Sequence, residues 1–218
     1  MTMHHAHNDD ATTDPREFWE NRYSSAERIW SGRPNATLVG LVEDLPAGRS
    51  VDLGCGEGAD VLWLASAGWE ATGVDISATA VARARAAAED QGLSEATHFE
   101  ATDLAVWSPI EPFDLVTASF LQSPVELDRV EILRRASSLV AEGGRLCIIS
   151  HAAPPPWSES ARGHGPGDFP QPEEDLNSLN LGAEWTTEIC EVRRREAEGP
   201  NGELATLLDS VVVTRRRG

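Results

Sequence analysis

The segment Ser50-Val51-Asp52-Leu53-Gly54-Cys55-Gly56-Glu57-Gly58-Ala59-Asp60 constrains this chain more than any other. It begins as a short apolar strand carrying an acid near its end, then turns through three alternate glycines. An amphipathic helix opens directly behind it at Ala59-Asp60-Val61-Leu62-Trp63-Leu64. Glycines at that spacing let a backbone pass within contact distance of a ligand where a side chain would collide. A second strand, Ala71-Thr72-Gly73-Val74, ends in Asp75, about 20 residues past the first glycine, where a ribose can be held by its hydroxyls. These features predict a nucleoside-binding turn.

Two nucleoside cofactors fit that spelling. A nicotinamide dinucleotide needs Gly-x-Gly-x-x-Gly/Ala with a helix N-terminus facing its pyrophosphate, and Gly54 to Ala59 satisfies the pattern. S-adenosylmethionine has no phosphate but carries an ammonium, a carboxylate and a sulfonium. For that ligand Asp52 makes sense as a hydrogen-bond acceptor for the ammonium. Toward a pyrophosphate the same carboxylate, with Glu57 in the loop, is repulsive. The acids favour the sulfonium cofactor.

Helix and strand signals alternate along the chain. Asp14-Pro15-Arg16-Glu17 starts a helix whose apolar stripe includes Phe18, Trp19 and Tyr23. Asn35 caps a helix from Ala36 to Leu45, and the helix behind the glycine turn runs to about Ala67, where Gly68 stops it. Ser77 caps Ala78 to Asp90, and a further helix is predicted from Val125 to Ala141, ended by Gly143-Gly144. Strands are predicted near 50–53, 71–74, 97–101, 113–119 and 145–150, the last two apolar enough to be covered on both faces. This order predicts an α/β, Rossmann-like doubly wound sheet with helices on both faces. Glu184–Arg195 and Leu204–Arg215, around the turn Gly199-Pro200-Asn201-Gly202, add an antiparallel hairpin, for seven mostly parallel strands in all.

The 218 residues suit one domain. We divide them into a disordered leader over 1–13 and a single domain over 14–218. Within the domain, 14–48 is a helical cap, 49–150 the cofactor-binding core, 151–183 a substrate-side loop and helix, and 184–218 the hairpin. The formal net charge of −18 repels phosphate-rich surfaces, so nucleic acid and anionic membrane are poor partners. All 18 cationic residues are arginine, which fits a coding bias or salt adaptation. Cys55, Cys147 and Cys190 are odd in number and lack metal spacing, so they read as small buried residues, with no metal site expected. The polar start has no signal-peptide core, and nothing reaches the length of a membrane span, which points to the cytoplasm.

The glycine turn, its flanking acids, Thr102-Asp103-Leu104 and the terminal hairpin together resemble a class I S-adenosylmethionine-dependent methyltransferase. The resemblance covers the chain from about Asp14 onward. Trp30-Ser31-Gly32-Arg33-Pro34-Asn35, Phe120-Leu121-Gln122-Ser123-Pro124 and Ser150-His151 are most similar to the tellurite-resistance and thiopurine methyltransferase group. The resemblance implies that Gly54 and Gly56 lie against the methionine and ribose, that Asp75 takes the ribose hydroxyls, and that Ile76 packs on the adenine. It further implies that Asp103, with Leu104, reads the adenine and that Ser119 lies where the transferable methyl sits. Trp30 and Arg33 would reach in from the N-terminal segment, Arg33 toward the methionine carboxylate.

Each role has a plainer counterpart. Asp75 can cap the helix begun at Ser77, Asp103 can be a solvated loop acid, and Trp30 and Arg33 can be packing and surface residues. His151 follows the fifth strand at the ligand-bearing edge, either as a base for the acceptor or as a partner for a loop carbonyl. The place after the fourth strand reads Ser119-Phe120-Leu121-Gln122 and lacks the Asn/Asp-Pro-Pro-Tyr/Phe of enzymes that methylate planar amino groups. The expectation is therefore methyl transfer to a small-molecule acceptor by in-line displacement, near Trp30, Phe120, His151 and the 154–172 loop. A nicotinamide-dependent oxidoreductase and a non-catalytic cofactor-binding module are the alternatives. Oligomeric state is not legible.

Overall fold

The computed structural model describes residues 14–157, 169–199 and 201–218. The 1–13 leader, the middle of the 154–172 loop and Pro200 lie outside the described residues. The elements run α1 (Pro15–Ser24), α2 (Ala36–Val42), β1 (Arg49–Leu53), α3 (Ala59–Ser66), β2 (Glu70–Asp75), α4 (Ala78–Asp90), β3 (Thr97–Ala101) and β4 (Phe113–Ser119). They continue with α5 (Arg129–Ser138), β5 (Val140–His151), α6 (Pro172–Ser178), β6 (Trp185–Glu198) and β7 (Leu204–Arg216). All seven strands join one sheet in the order β3-β2-β1-β4-β5-β7-β6. The first five are mutually parallel, and β7 runs antiparallel to both β5 and β6.

The predicted caps form as side-chain chemistry requires. Asp14 accepts from the Glu17 N–H at 3.0 Å, Asn35 from Thr37 at 2.9 Å and Ser77 from Ala80 at 3.2 Å. Helix α2 ends at Val42 instead of Leu45 and α5 at Ser138 instead of Ala141, and two further differences show their cause. Helix α5 starts at Arg129, not Val125, because Asp128 accepts from the Glu131 N–H while the Ser123 hydroxyl already holds the Val125 N–H in a turn. Gly143-Gly144 does not precede the fifth strand but lies inside it, where the β4–β5 register shifts between Phe113 and Leu115. A Cβ on Gly144 would stand 2.9 Å from the Asp114 carbonyl oxygen, so the bulge needs glycine.

The apolar runs of β4 and β5 split by alternation. Leu115, Cys147 and Ile149 face a core with Leu38, Val61, Leu64 and Phe99, drawn from α2, α3 and β3. Val116, Leu146 and Ile148 face the opposite core with Ile132, Leu133 and Leu179. The sheet is thus covered on both sides, and its carboxyl edge is the side left for ligands. The outermost strand β6 keeps charged Arg193, Arg194 and Glu196 along the edge, which discourages further strand pairing.

Candidate cofactor and acceptor site

The glycine turn is pinned to the end of β2. The N–H groups of Gly54 and Cys55 donate to the Val74 carbonyl at 2.8 and 3.0 Å, and the Gly56 N–H donates to the Asp75 carboxylate at 2.9 Å. Gly54 and Gly56 adopt φ of 77° and 53°, and a Cβ on Gly56 would come within 2.8 Å of the Tyr23 hydroxyl. The cradle is therefore shaped by backbone, with side chains from elsewhere closing around it.

Three carboxyls are buried at this turn. Asp52, 3% exposed, accepts from the Thr117 hydroxyl at 2.7 Å. Asp60, in the first turn of α3, accepts from the Asn35 N–H at 2.6 Å. The second Asp75 oxygen accepts from the Ser77 N–H at 2.9 Å and so holds the turn ahead of α4, while Ser77 itself caps that helix. Among the described residues none of the three is ion-paired. Burial pushes all three above the usual carboxylate range, and for Asp52 the neighbouring Asp60 adds to the effect. The hydrogen bonds from Thr117 to Asp52 and from Asn35 to Asp60 offset part of this, and the Ser119 hydroxyl at the end of β4 is buried with no hydrogen-bond partner among the described residues. Buried acids without cations favour a positively charged ligand and oppose a pyrophosphate.

Glu57 corrects one step in the sequence reasoning. Its carboxylate turns away from the cradle to accept from the Trp30 N–H at 3.1 Å and to pair with Arg83 at 2.9 Å. It fastens the N-terminal segment instead of opposing a phosphate. Helix α1 completes that strap: Glu20 accepts from the Ser77 hydroxyl at 2.7 Å, and the Trp19 indole donates to Ser123 at 3.2 Å. The strap places Tyr23 over the turn. Its hydroxyl accepts from the Trp30 indole at 3.0 Å, and burial, then Asp75, pushes its acidity far down. Tyr23, Asp60 and the strap function of Glu57 escaped the sequence reading, since a core-facing stripe and a helix-start acid have plainer explanations.

The other expected residues are distributed unevenly. Trp30 is 48% exposed beside the turn, with the Arg22 guanidinium 5.8 Å from its ring. Arg33 is exposed, and among the described residues its backbone N–H is held by the Ser31 hydroxyl at 3.2 Å. Ile76 is half-buried, and its carbonyl accepts from Arg16 at 3.0 Å. Asp103 accepts from the Ala105 N–H at 2.8 Å, and Leu104 packs against the α5-side core, so both shape the turn after β3. His151 ends β5, its ring stacked on Phe120 at 4.3 Å between centroids. Its backbone N–H donates to the Gln122 side chain at 3.0 Å, and burial holds its imidazole below the usual histidine range. A cavity of about 260 Å³ lined by Thr186, Glu188, Arg215 and Arg217 lies at the opposite rim of the sheet.

Comparison with known proteins agrees with this geometry. A family model described as a methyltransferase domain matches residues 51–144. The 2-heptyl-1-hydroxyquinolin-4(1H)-one methyltransferase of Mycobacteroides abscessus is 30% identical over 185 residues, covering 80% of this chain and 76% of that protein. The chain belongs to the class I S-adenosylmethionine-dependent methyltransferases. A probable thiol methyltransferase 2 of Arabidopsis thaliana is 36% identical over 101 residues, and the match spans 45% of this chain and only 45% of that relative. The solved structure from "Conversion of a Disulfide Bond into a Thioacetal Group during Echinomycin Biosynthesis" superposes with a TM-score of 0.73 at 25% identity, covering 93% of this chain and 91% of that chain. The nicotinamide alternative falls with this membership. Among the described residues no group of acids, histidines or cysteines could hold a metal, and no helix is long and apolar enough to cross a membrane. Cys55 and Cys147 are buried and Cys190 is half-buried, all three free.

Proposed function

We infer that this methyltransferase transfers the methyl group of S-adenosylmethionine to a small-molecule acceptor. The observation that carries the cofactor site is the backbone cradle at Gly54 and Gly56 beside three buried carboxyls that have no cationic partner among the described residues. Asp52 takes the ammonium, with Asp60 adding to the negative field, and Asp75 takes the ribose hydroxyls. Ile76, Asp103 and Leu104 flank the adenine, Ser119 lies by the methyl group, and Trp30 and Arg33 close the methionine end. The bound cofactor supplies a methyl group already activated by its positive sulfur. What remains for the protein is orientation and exclusion of water, which suits a site whose charged groups are buried and preset.

The small-molecule acceptor is supported by the net charge of −18, which repels nucleic acid, and by relatives named for a thiol and a hydroxyquinolone. His151, at the carboxyl end of β5 with Phe120 against its ring, faces the acceptor in this assignment. Three free cysteines fit a reducing cytoplasm. Isothermal titration with S-adenosylmethionine and with its demethylated product tests the cofactor site, and micromolar binding is the expected result. A folded protein that binds neither overturns the assignment. Binding without methyl transfer to any of a panel of thiols, hydroxyl compounds and amines instead favours a non-catalytic module.

A further inference from the structure

One buried pair at the acceptor edge is unfinished. His151 and Asp209 stand directly opposite each other in the antiparallel β5–β7 ladder, so their side chains share a face. The His151 Nδ1 lies 3.9 Å from Asp209 Oδ1, and among the described residues neither atom has a hydrogen-bond partner although both are buried. Asp209 is 0% exposed. Its other oxygen is fully engaged, accepting from the Thr37 hydroxyl at 2.9 Å and from Arg195 Nε at 2.6 Å. Only a donor to Oδ1 is missing, and the His151 Nδ1–H, 3.9 Å away on the same face, can supply it. A shift of about 1 Å in the imidazole brings the two into hydrogen-bond range.

The opposite edge of the ring has a different surrounding. The His151 side chain keeps 26% of its exposure although Nδ1 is buried, so the open edge is the one that carries Nε2. Phe120 stacks on this ring, and the Arg195 guanidinium lies 5.5 Å from the Phe120 centroid. Phe120 follows the last residue of β4 and adopts φ of 53°, a left-handed conformation that an aromatic residue rarely takes. Strain of that kind persists where the surroundings over-determine it, and here it holds an aromatic wall against the imidazole. The charged groups facing His151 are Asp209 from β7 and Arg195 from β6, and Gln122 from the loop after β4 is neutral.

We propose that Asp209, with Arg195 and Thr37 behind it, is the positioning residue that fixes the His151 Nδ1–H tautomer and leaves Nε2 to accept a proton from the methyl acceptor. The proposal deepens the methyl-transfer assignment, on which it rests, and names the acceptor class: a molecule with a dissociable proton, a thiol or an acidic hydroxyl, not a halide. In the step, the acceptor S–H or O–H bond would break and its proton pass to Nε2, while the methyl–sulfur bond of the cofactor would break and its electron pair leave on the sulfur as a neutral thioether. The electron pair stays on the acceptor atom for bond formation to the methyl carbon, and the imidazolium is balanced by the Asp209 carboxylate. An anion that needs no deprotonation gains nothing from the pair.

The test combines a spectroscopic and a kinetic arm on the full chain. In ¹⁵N-histidine spectra, with His151→Gln identifying the signal, neutral His151 should carry its proton on Nδ1. Asp209→Asn should lower the His151 titration midpoint by about 1 unit or more, and Arg195→Gln, which removes the opposing charge, should raise it. Opposite shifts from two residues that contact each other are not produced by a merely loosened fold. In the kinetic arm, Asp209→Asn should slow methylation of benzyl mercaptan and of 1-hydroxyquinolin-4-one at least tenfold below each acceptor's own pKa and by less than about twofold above it, where the acceptor arrives already ionised. The two protic probes separate the thiol and hydroxyl sources. A proton on Nε2, or a midpoint unmoved by both substitutions, overturns the proposal, as does an equal kinetic loss on both sides of the acceptor's pKa. Failure of the cofactor assignment would appear separately, as no calorimetric binding of S-adenosylmethionine by the unaltered chain.

Discussion

Replacing Asp75 by asparagine tests the cofactor cradle most directly. One Asp75 oxygen accepts from Ser77 N–H and the other from Gly56 N–H, each at 2.9 Å. An amide keeps one acceptor, which the Ser77 N–H can retain, and turns an NH₂ toward the Gly56 N–H. The glycine turn loses its tie to β2, and the ribose loses one charged acceptor. A hydrogen bond to a charged group contributes about 1.5–3 kcal/mol. Burial already holds this carboxyl above its usual range, so removing the charge recovers part of its desolvation cost. The net loss expected is about 1.5–2 kcal/mol, which is about 10- to 30-fold in affinity. Calorimetry should use S-adenosylmethionine, its demethylated product and 5′-methylthioadenosine, which keeps the ribose but lacks the amino-acid tail. Asp75→Asn should weaken all three by the same factor, whereas Asp52→Asn should weaken only the two that carry an ammonium. Unchanged affinities for a folded Asp75→Asn protein, or a loss confined to the two tailed ligands, would show that the ribose does not lie at Asp75.

Cofactor affinity should rise with pH. Asp52, Asp60 and Asp75 are held above the ordinary carboxylate value of 3.8, so the free site keeps protons that a bound cation displaces. Between 3.8 and the raised values, log affinity should climb by up to about one unit per pH unit for each proton released, and a flat profile by calorimetry would refute it. The same shifts make the free protein most stable on this account below the unfolded value, with that stability lost as pH rises through the folded ones. Gly56→Ala places a left-handed Cβ 2.8 Å from the Tyr23 hydroxyl and should cost about 1–2 kcal/mol in thermal denaturation while weakening cofactor binding. Arg129 pairs with the buried Asp175 at 2.5 and 2.8 Å and donates to the Leu121 carbonyl and the Ser150 hydroxyl, joining α5, α6 and the acceptor edge. Arg129→Ala should cost about 3–5 kcal/mol in urea denaturation because it strands that carboxylate, and a loss below about 1 kcal/mol would refute the view that the pair joins these elements.

The parts legible from the chain alone were those that neighbours in sequence enforce. Helix starts at Asp14, Asn35 and Ser77 appear as expected because a cap satisfies N–H groups two or three residues away. The two-sided strands β4 and β5 followed from their unbroken apolar runs, and the hairpin β6–β7 from the turn between them. The bulge at Gly143-Gly144 was missed, since a glycine pair reads locally as a stop and only the β4 partner shows that the strand continues through it. Val125 to Leu127 had helical composition, yet the capping of Asp128 shortened α5 at its start.

By itself, then, the sequence determined the glycine turn, the acids near it and the alternation of elements that yields a doubly wound sheet, because these depend on backbone torsions and periods of a few residues. Tertiary structure decided which acids are buried together, how Tyr23 and Glu57 form the strap, and that Asp209 stands against His151. Thr37 reaches Asp209 across 172 residues of chain and Asp60 holds Asn35 across 25, separations over which no local pattern carries information. Proximity at the sheet's carboxyl edge is fixed by strand order, and strand order emerges only when both hydrophobic faces are closed at once.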